Sequence, residues 1–172
     1  MPDRYTIRAA RPDDLPLLPP IEAAAAVHFL ATPYAWIVED SAVNPVSANV
    51  DLAHEQVWVA VDPSDEPVGF VIVRLLAISV HIHELDVRPQ HAGHGLGRRL
   101  IETVAAWARA RGASALTLTT FGDVPWNGPY YARLGFRALD LATLRLALQA
   151  VRDEEARVGL PMAQRICMQL EL

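Results

Sequence analysis

Three glycines alternate with other residues in Val87-Arg88-Pro89-Gln90-His91-Ala92-Gly93-His94-Gly95-Leu96-Gly97-Arg98-Arg99-Leu100. Glycine admits positive φ and lets backbone N–H groups approach a ligand closely. A helix starting behind such a turn adds unpaired donors and a partial positive charge, and the two features together suit a phosphate. Arg98 and Arg99 stand where they add charge-assisted contacts. Just upstream, His81-Ile82-His83-Glu84-Leu85-Asp86-Val87 alternates with a period of two. Glu84 and Asp86 share one face; His81, His83, Leu85 and Val87 share the other. Two carboxyls at i, i+2 raise the proton affinity of one of them and attract a cationic amine, although a surface salt bridge is the plainer use of such a pair. His83 is an alternative base if a bulge rotates the strand. A third group is Tyr130-Tyr131, whose phenols, with an ordinary pKa of about 10, keep their protons at neutral pH.

The glycine turn excludes as well as admits. A P-loop needs Gly-Lys-Ser/Thr, and the chain has no lysine; all 15 of its cations are arginine. A dinucleotide fingerprint counted from Gly93 places Arg98 where its third glycine belongs. Asp123 could stand for the ribose-binding acid, but the elements before the turn read as hairpins rather than repeated βαβ units. His81-x-His83 with His91 and His94 lacks a cysteine or carboxylate set at zinc spacing, so no metal is expected.

The elements that must position these groups follow from periodicity and breakers. Strands are predicted at 5–9, 56–61, 68–76, 79–87, 115–121, 136–141 and 165–170, with the dense turn Pro63-Ser64-Asp65-Glu66-Pro67 marking a hairpin. Helices are predicted at 15–30, capped by Asp13 or Asp14, from Gly97 to Arg111-Gly112, over about 127–134, and at 143–157. Residues 31–55, interrupted by Pro33, Asn44, Pro45 and Asn49, read as irregular. Trp58 and Trp107 read as core, and Trp36 as core or acceptor-pocket lining. At 172 residues and 52% hydrophobic, the chain has the length of one domain and can bury a core without staples. A net charge of −5 argues against a nucleic-acid surface. The lone cysteine, Cys167, points to a reducing compartment and is an unlikely acyl carrier. With no apolar run behind a basic start, no secretory signal or membrane span is expected, and a cytoplasmic setting is the default.

Gln90-x-x-Gly93-x-Gly95, followed by Leu96-Gly97 and an amphipathic helix, resembles the acyl-CoA-binding signature of the GNAT superfamily of N-acetyltransferases. The superfamily's second motif, Phe/Tyr-Tyr-x-x-Leu-Gly-Phe, is matched by Tyr130–Phe136, one helix and one strand later. The resemblance covers about residues 3–141; 142–172 matches only loosely. It implies an α+β fold, an α/β/α three-layer arrangement around a mixed, mostly antiparallel sheet, with 1–172 as one domain. It implies acetyl-CoA as cosubstrate, its pantetheine arm alongside Leu85 and Val87 and its pyrophosphate on the amides of Ala92, Gly93, His94, Gly95, Leu96, Gly97 and Arg98, with Gln90 opening the signature. Asn127 is similar to the asparagine that contacts the arm from the other side, though it lies four residues before Tyr131. Tyr131 takes the place of the leaving-group acid, and Glu84 resembles the strand glutamate that serves as base, directly or through water. The oxyanion would face a backbone N–H at or near Val87.

The implied reaction is direct acetyl transfer to an amine of a small molecule or peptide in a ternary complex; the alternative is a non-catalytic acyl-CoA-binding regulatory domain. Acceptor specificity would be shaped by Phe29–Glu55 and Phe121–Trp126, which mix aromatics with Glu39, Asp40 and Asp123. No nucleic acid or membrane partner is implied. The helix carrying Arg152-Asp153-Glu154-Glu155 is either a solvated face or a homodimer contact.

Overall fold

The structure, a computed structural model, describes residues 5–172. The chain divides into two compact units: one holds the chain through Arg74 together with Glu84–Val104, the other Leu75–His83 and Ala105–Leu172.

In the first unit β1 (Thr6–Ala9) pairs antiparallel with β2 (Glu55–Val61), which pairs antiparallel with β3 (Pro67–Leu76) from Glu55↔Arg74 to Val61↔Pro67. The turn between β2 and β3 forms because the Asp62 carboxylate accepts from the Ser64 and Glu66 amides and Asp65 adopts φ +63°. The hairpin partner of β3 is β4 (Ser79–Val87). A Cβ on Gly69 of β3 would sit 3.0 Å from the Asp86 carbonyl oxygen and 3.0 Å from Val87 Cγ2, so only glycine allows this approach. Alternating side chains Val57, Val59 and Val61 of β2 and Phe70 and Ile72 of β3 form one apolar face, which α1 (Leu18–Ala26) covers with Leu18 and Ile21.

The predicted helix over 15–30 is shorter. Pro16, Pro19 and Pro20 lack amide protons, so residues 12–17 form a 3₁₀ turn and the α-helix begins where prolines can occupy its first turn. Neither Asp13 nor Asp14 caps α1, whose N-cap is Leu17; Asp14 is instead the third residue of the 3₁₀ turn, where its carboxylate accepts from the Arg11 amide at 2.6 Å and pairs with the Arg8 guanidinium at 2.6 Å. The segment predicted as irregular contains α2 (Trp36–Val43), because Pro33 and Asn44 bracket eight residues free of breakers.

In the second unit the first half of β4 pairs in parallel with β5 (Ala115–Phe121), from Ser79↔Ala115 to Ile82↔Leu118. All seven residues of β5 pair antiparallel with β7 (Arg165–Glu171). On its far side β7 takes β6, which is only Arg137–Ala138. The longer strand predicted to Leu141 ends early because Asp140 caps a 3₁₀ turn through the Ala142 amide at 2.9 Å. The order of the seven strands is β1-β2-β3-β4-β5-β7-β6, an α+β sheet with the single parallel pair β4–β5 among the described pairings.

The helix predicted behind the glycine turn is α3 (Leu96–Ala110), which runs from the first unit into the second and buries Leu96, Leu100, Val104 and Ala108 at i, i+4 spacing. Trp107 is half-buried rather than core, with the Arg111 guanidinium 4.1 Å above its ring. After the short α4 (Gly128–Arg133), α5 (Leu146–Arg157) packs Leu148 with Leu144 on Cys167. Its polar run is not simply a solvated face: Glu155 pairs with Arg165 at 2.5 Å and accepts from Thr119, while Arg152 donates to the Arg165 carbonyl. Among the described residues no helix is long and apolar enough to cross a membrane.

Candidate functional site

The alternation predicted for β4 is observed. His81, on one face, is buried with its Nδ1 3.0 Å from the Thr117 hydroxyl. Glu84 and Asp86, on the other, are hydrogen-bonded to each other. Asp86 Oδ2 is shut off from solvent and has no hydrogen-bond partner. Burial, together with the nearby Glu84 and Glu22 carboxyls, holds the Asp86 carboxyl well above the usual carboxylate range.

Glu22 is a functional candidate that the sequence reading missed. It lies in the alanine-rich stretch of α1, is 6% exposed, and accepts from the Val46 amide (2.9 Å), the Ser47 amide (2.9 Å) and the Ser47 hydroxyl (2.6 Å). Three donors fix a buried carboxylate in position. An acidic residue in a buried stripe of a helix is the only signal the sequence offered.

The glycine turn also belongs to the first unit. Pro89–His91 make one 3₁₀ turn after β4, Gly93 and Gly95 adopt φ +79° and +69°, and α3 starts at Leu96. A Cβ on Gly93 or Gly95 would meet no atom within 4 Å, so the backbone there borders open space. The amides of Leu96, Gly97 and Arg98 open the helix, where an α-helix leaves its N–H groups without intrahelical partners. Ala92 to Arg98 thus run from a glycine turn into the first amides of α3, with Gln90 exposed ahead of them and Leu85 and Val87 on the strand that leads into the turn.

Tyr5 braces this turn and was likewise missed. Its hydroxyl is 2.9 Å from His91 Nδ1, its ring meets the His91 and His94 rings edge-on, and its carbonyl accepts from Arg99 Nη2 at 3.0 Å. Arg99, expected to add a charge-assisted contact to the phosphate, donates to the carbonyl at the strand start, while Arg98 is exposed.

Tyr131 and Asn127 belong to the second unit. Close packing sets their place: a Cβ on Gly128 would lie 3.1 Å from Gly122 Cα and 3.2 Å from the Phe121 carbonyl oxygen, so α4 starts directly on the end of β5. The Tyr131 amide donates to the Asn127 carbonyl and the Phe136 amide to the Tyr131 carbonyl, closing the Tyr130–Phe136 motif into a turn of helix and a return. Tyr130 and Tyr131 are both half-buried with rings edge-to-face, so Tyr130 is not core. In the acceptor segment Trp36 is 43% exposed. Burial pushes the Cys167 thiol up, which suits packing rather than acyl carriage. Among the described residues no three histidines, cysteines or carboxylates are placed to hold a metal ion.

A family model described as "Acetyltransferase (GNAT) family" matches residues 23–136. Among solved structures, the chain is similar to PaiA N-acetyltransferase from Thermoplasma acidophilum in complex with coenzyme A (14% identity, 98% of this chain and 99% of that one, TM-score 0.69). It is also similar to a GCN5-related N-acetyltransferase from Rhodopseudomonas palustris (22%, 97% and 95%, TM-score 0.70). A third is the ribosomal-protein-S18-alanine N-acetyltransferase from Escherichia coli (17%, 97% and 93%, TM-score 0.64).

Proposed function

The chain belongs to the acetyltransferase (GNAT) family, and from that premise we propose that it moves the acetyl group of acetyl-CoA directly to an amine of a small molecule or peptide. The observation that carries the reading is the cradle itself: two glycines at positive φ, open space at both, and a helix N-terminus immediately behind. Coenzyme A supplies a diphosphate for that cradle and a thioester for the chemistry. We read the whole chain as one catalytic domain, since the matched region and the similar structures run through both units.

In this reading the amides from Ala92 to Arg98 bind the diphosphate, and Leu85 and Val87 pair with the pantetheine arm along β4. Asn127 is assigned to the arm by the motif it precedes. Glu84 removes the proton from the acceptor nitrogen, because an ammonium has no lone pair with which to attack. A backbone N–H at or near Val87 stabilises the developing oxyanion, and the Tyr131 phenol protonates the departing sulfur. Each group is asked for the term its chemistry suits: positioning from the backbone, proton transfer from Glu84 and Tyr131.

The experiment is a thiol-release assay with acetyl-CoA and a panel of amines. Acetylation of a panel amine, with CoA thiol appearing in step, is the expected result. Tight CoA binding with no turnover on any amine, peptide amines included, would replace the enzyme by an acyl-CoA-binding regulatory domain.

A further inference from the structure

Tyr5, immediately before β1, is 6% exposed, and its hydroxyl lies 2.9 Å from His91 Nδ1. A phenol carries one proton, and among the described residues nothing else accepts it. A proton on His91 Nδ1 would therefore leave a buried O–H without an acceptor, which is costly. The hydroxyl donates, Nδ1 accepts, and the proton of the neutral His91 ring sits on Nε2. The two nitrogens of an imidazole diverge, so Nε2–H faces away from Tyr5. Among the described residues no protein atom accepts from it.

His94, three residues on, is held the opposite way. Its Nδ1 lies 3.2 Å from the His91 carbonyl oxygen, which can only accept. That nitrogen keeps its proton, and Nε2 of the neutral ring is a bare lone pair. The glycine turn thus carries two histidines in opposite tautomers, and of the two only His91 offers an anion an N–H from its ring. Tyr5 cannot swing clear of them. Its carbonyl accepts from Arg99 Nη2 at 3.0 Å, and its ring meets the His91 and His94 rings edge-on at 5.7 Å and 5.1 Å between centroids.

We propose that Tyr5 is a positioning residue that sets the tautomer of His91, and that His91 Nε2–H is a side-chain donor which the turn adds to its backbone amides for the diphosphate. The proposal rests on the reading that this turn takes coenzyme A, and it names the part of that ligand which His91 meets. An ionised phosphate oxygen has lone pairs and no proton, so it accepts from Nε2–H and gains nothing from a bare ring nitrogen. Because the tautomer is set 86 residues away in sequence, by a group already locked in the fold, no proton has to move when the ligand arrives.

The test joins NMR to calorimetry. Proton–nitrogen correlation spectra of protein labelled at its histidine nitrogens, at about pH 8.5 where ordinary imidazoles are neutral, should show His91 protonated on Nε2 and His94 on Nδ1. In the wild type, CoA and dephospho-CoA should shift the His91 Nε2 signal and pantetheine should not. Tyr5→Phe keeps the ring and removes only the hydroxyl; its His91 should become a mixture of tautomers. CoA should bind Tyr5→Phe and His91→Asn about three- to tenfold more weakly than wild type. His91→Gln, whose amide nitrogen reaches the place of Nε2, should restore affinity to within about twofold. Adding Tyr5→Phe to His91→Asn should bring no further loss, since the hydroxyl acts through the imidazole. Dephospho-CoA should show the same losses and pantetheine none.

A wild-type His91 protonated on Nδ1, unchanged His91 signals in a folded Tyr5→Phe protein, full CoA affinity in His91→Asn, or a loss that persists with pantetheine would each overturn the proposal. Melting temperatures report folding, and the wild-type spectra decide the matter if a variant does not fold. CoA binding that is indifferent to His91 removes only this assignment, whereas a wild type that binds no CoA removes the reading beneath it.

Discussion

Asp86 and Asp14 sit in the same unit and are driven in opposite directions by their neighbours. The Arg8 guanidinium beside Asp14 holds its carboxyl below the usual range, so its contribution to stability is present above about pH 4 and is lost only as the pH falls below that. Asp86 is held above that range by burial among acidic groups. Between about pH 4 and its native titration point, the folded protein keeps a proton that the unfolded chain has released, so stability falls as pH rises, by at most about 1.4 kcal/mol per unit. Urea denaturation at about pH 5 and about pH 8 should show wild type losing stability relative to Asp86→Asn across that interval. A parallel pH response in both proteins would refute the shifted carboxyl. Tyr131→Phe should lower kcat by about 10²-fold or more while leaving acetyl-CoA affinity within about twofold, and unchanged kcat would remove the phenol from the proton path. The Glu84–Asp86 pair was legible because alternation along one strand is local. Glu22 was not, because its partners Val46 and Ser47 lie 24 and 25 residues away and only folding brings them together.

The glycine turn, as an element, separates backbone strain from ligand binding. Gly95 and Gly112 both adopt positive φ with open space where a side chain would go, but only Gly95 lies in the cradle; Gly112 ends α3. Substituting either should cost about 1–3 kcal/mol of stability. Gly95→Val should also weaken CoA binding by at least about tenfold in calorimetry, a loss of about 1.4 kcal/mol, while Gly112→Ala leaves it unchanged. Equal CoA affinity in both variants would contradict the cradle assignment. Elements with a strong period, β2 to β5 and α3, were readable from the chain to within a residue or so. Those governed by proline or by a single cap were not: three prolines split the first predicted helix, and Asp140 cut β6 to two residues. In such places one missing N–H or one side-chain acceptor outweighs the propensity of the whole segment.

For the whole molecule, the class of fold and the succession of strands were visible in the chain, but α2 and the sheet order were not. β7 lies between β5 and β6, a choice made by pairing between segments far apart in sequence, which no local pattern encodes. The cofactor reading is tested at this scale by thermal shift, since a ligand that binds the native state stabilises it by RT ln(1 + [L]/Kd), about 2.7 kcal/mol at a hundredfold excess over Kd. CoA and acetyl-CoA should raise the melting temperature and NAD(H) should not; the reverse ranking would favour a nicotinamide-dependent enzyme. The brace that Tyr5 lays against His91, His94 and the Arg99 side chain has a practical corollary. Trimming the polypeptide past Tyr5, or crowding its start with a bulky purification handle, would loosen the glycine turn that we assign to the diphosphate. Affinity tags for this protein therefore belong at the carboxyl end, and any cleavage site placed ahead of Tyr5 should leave that ring and its carbonyl intact.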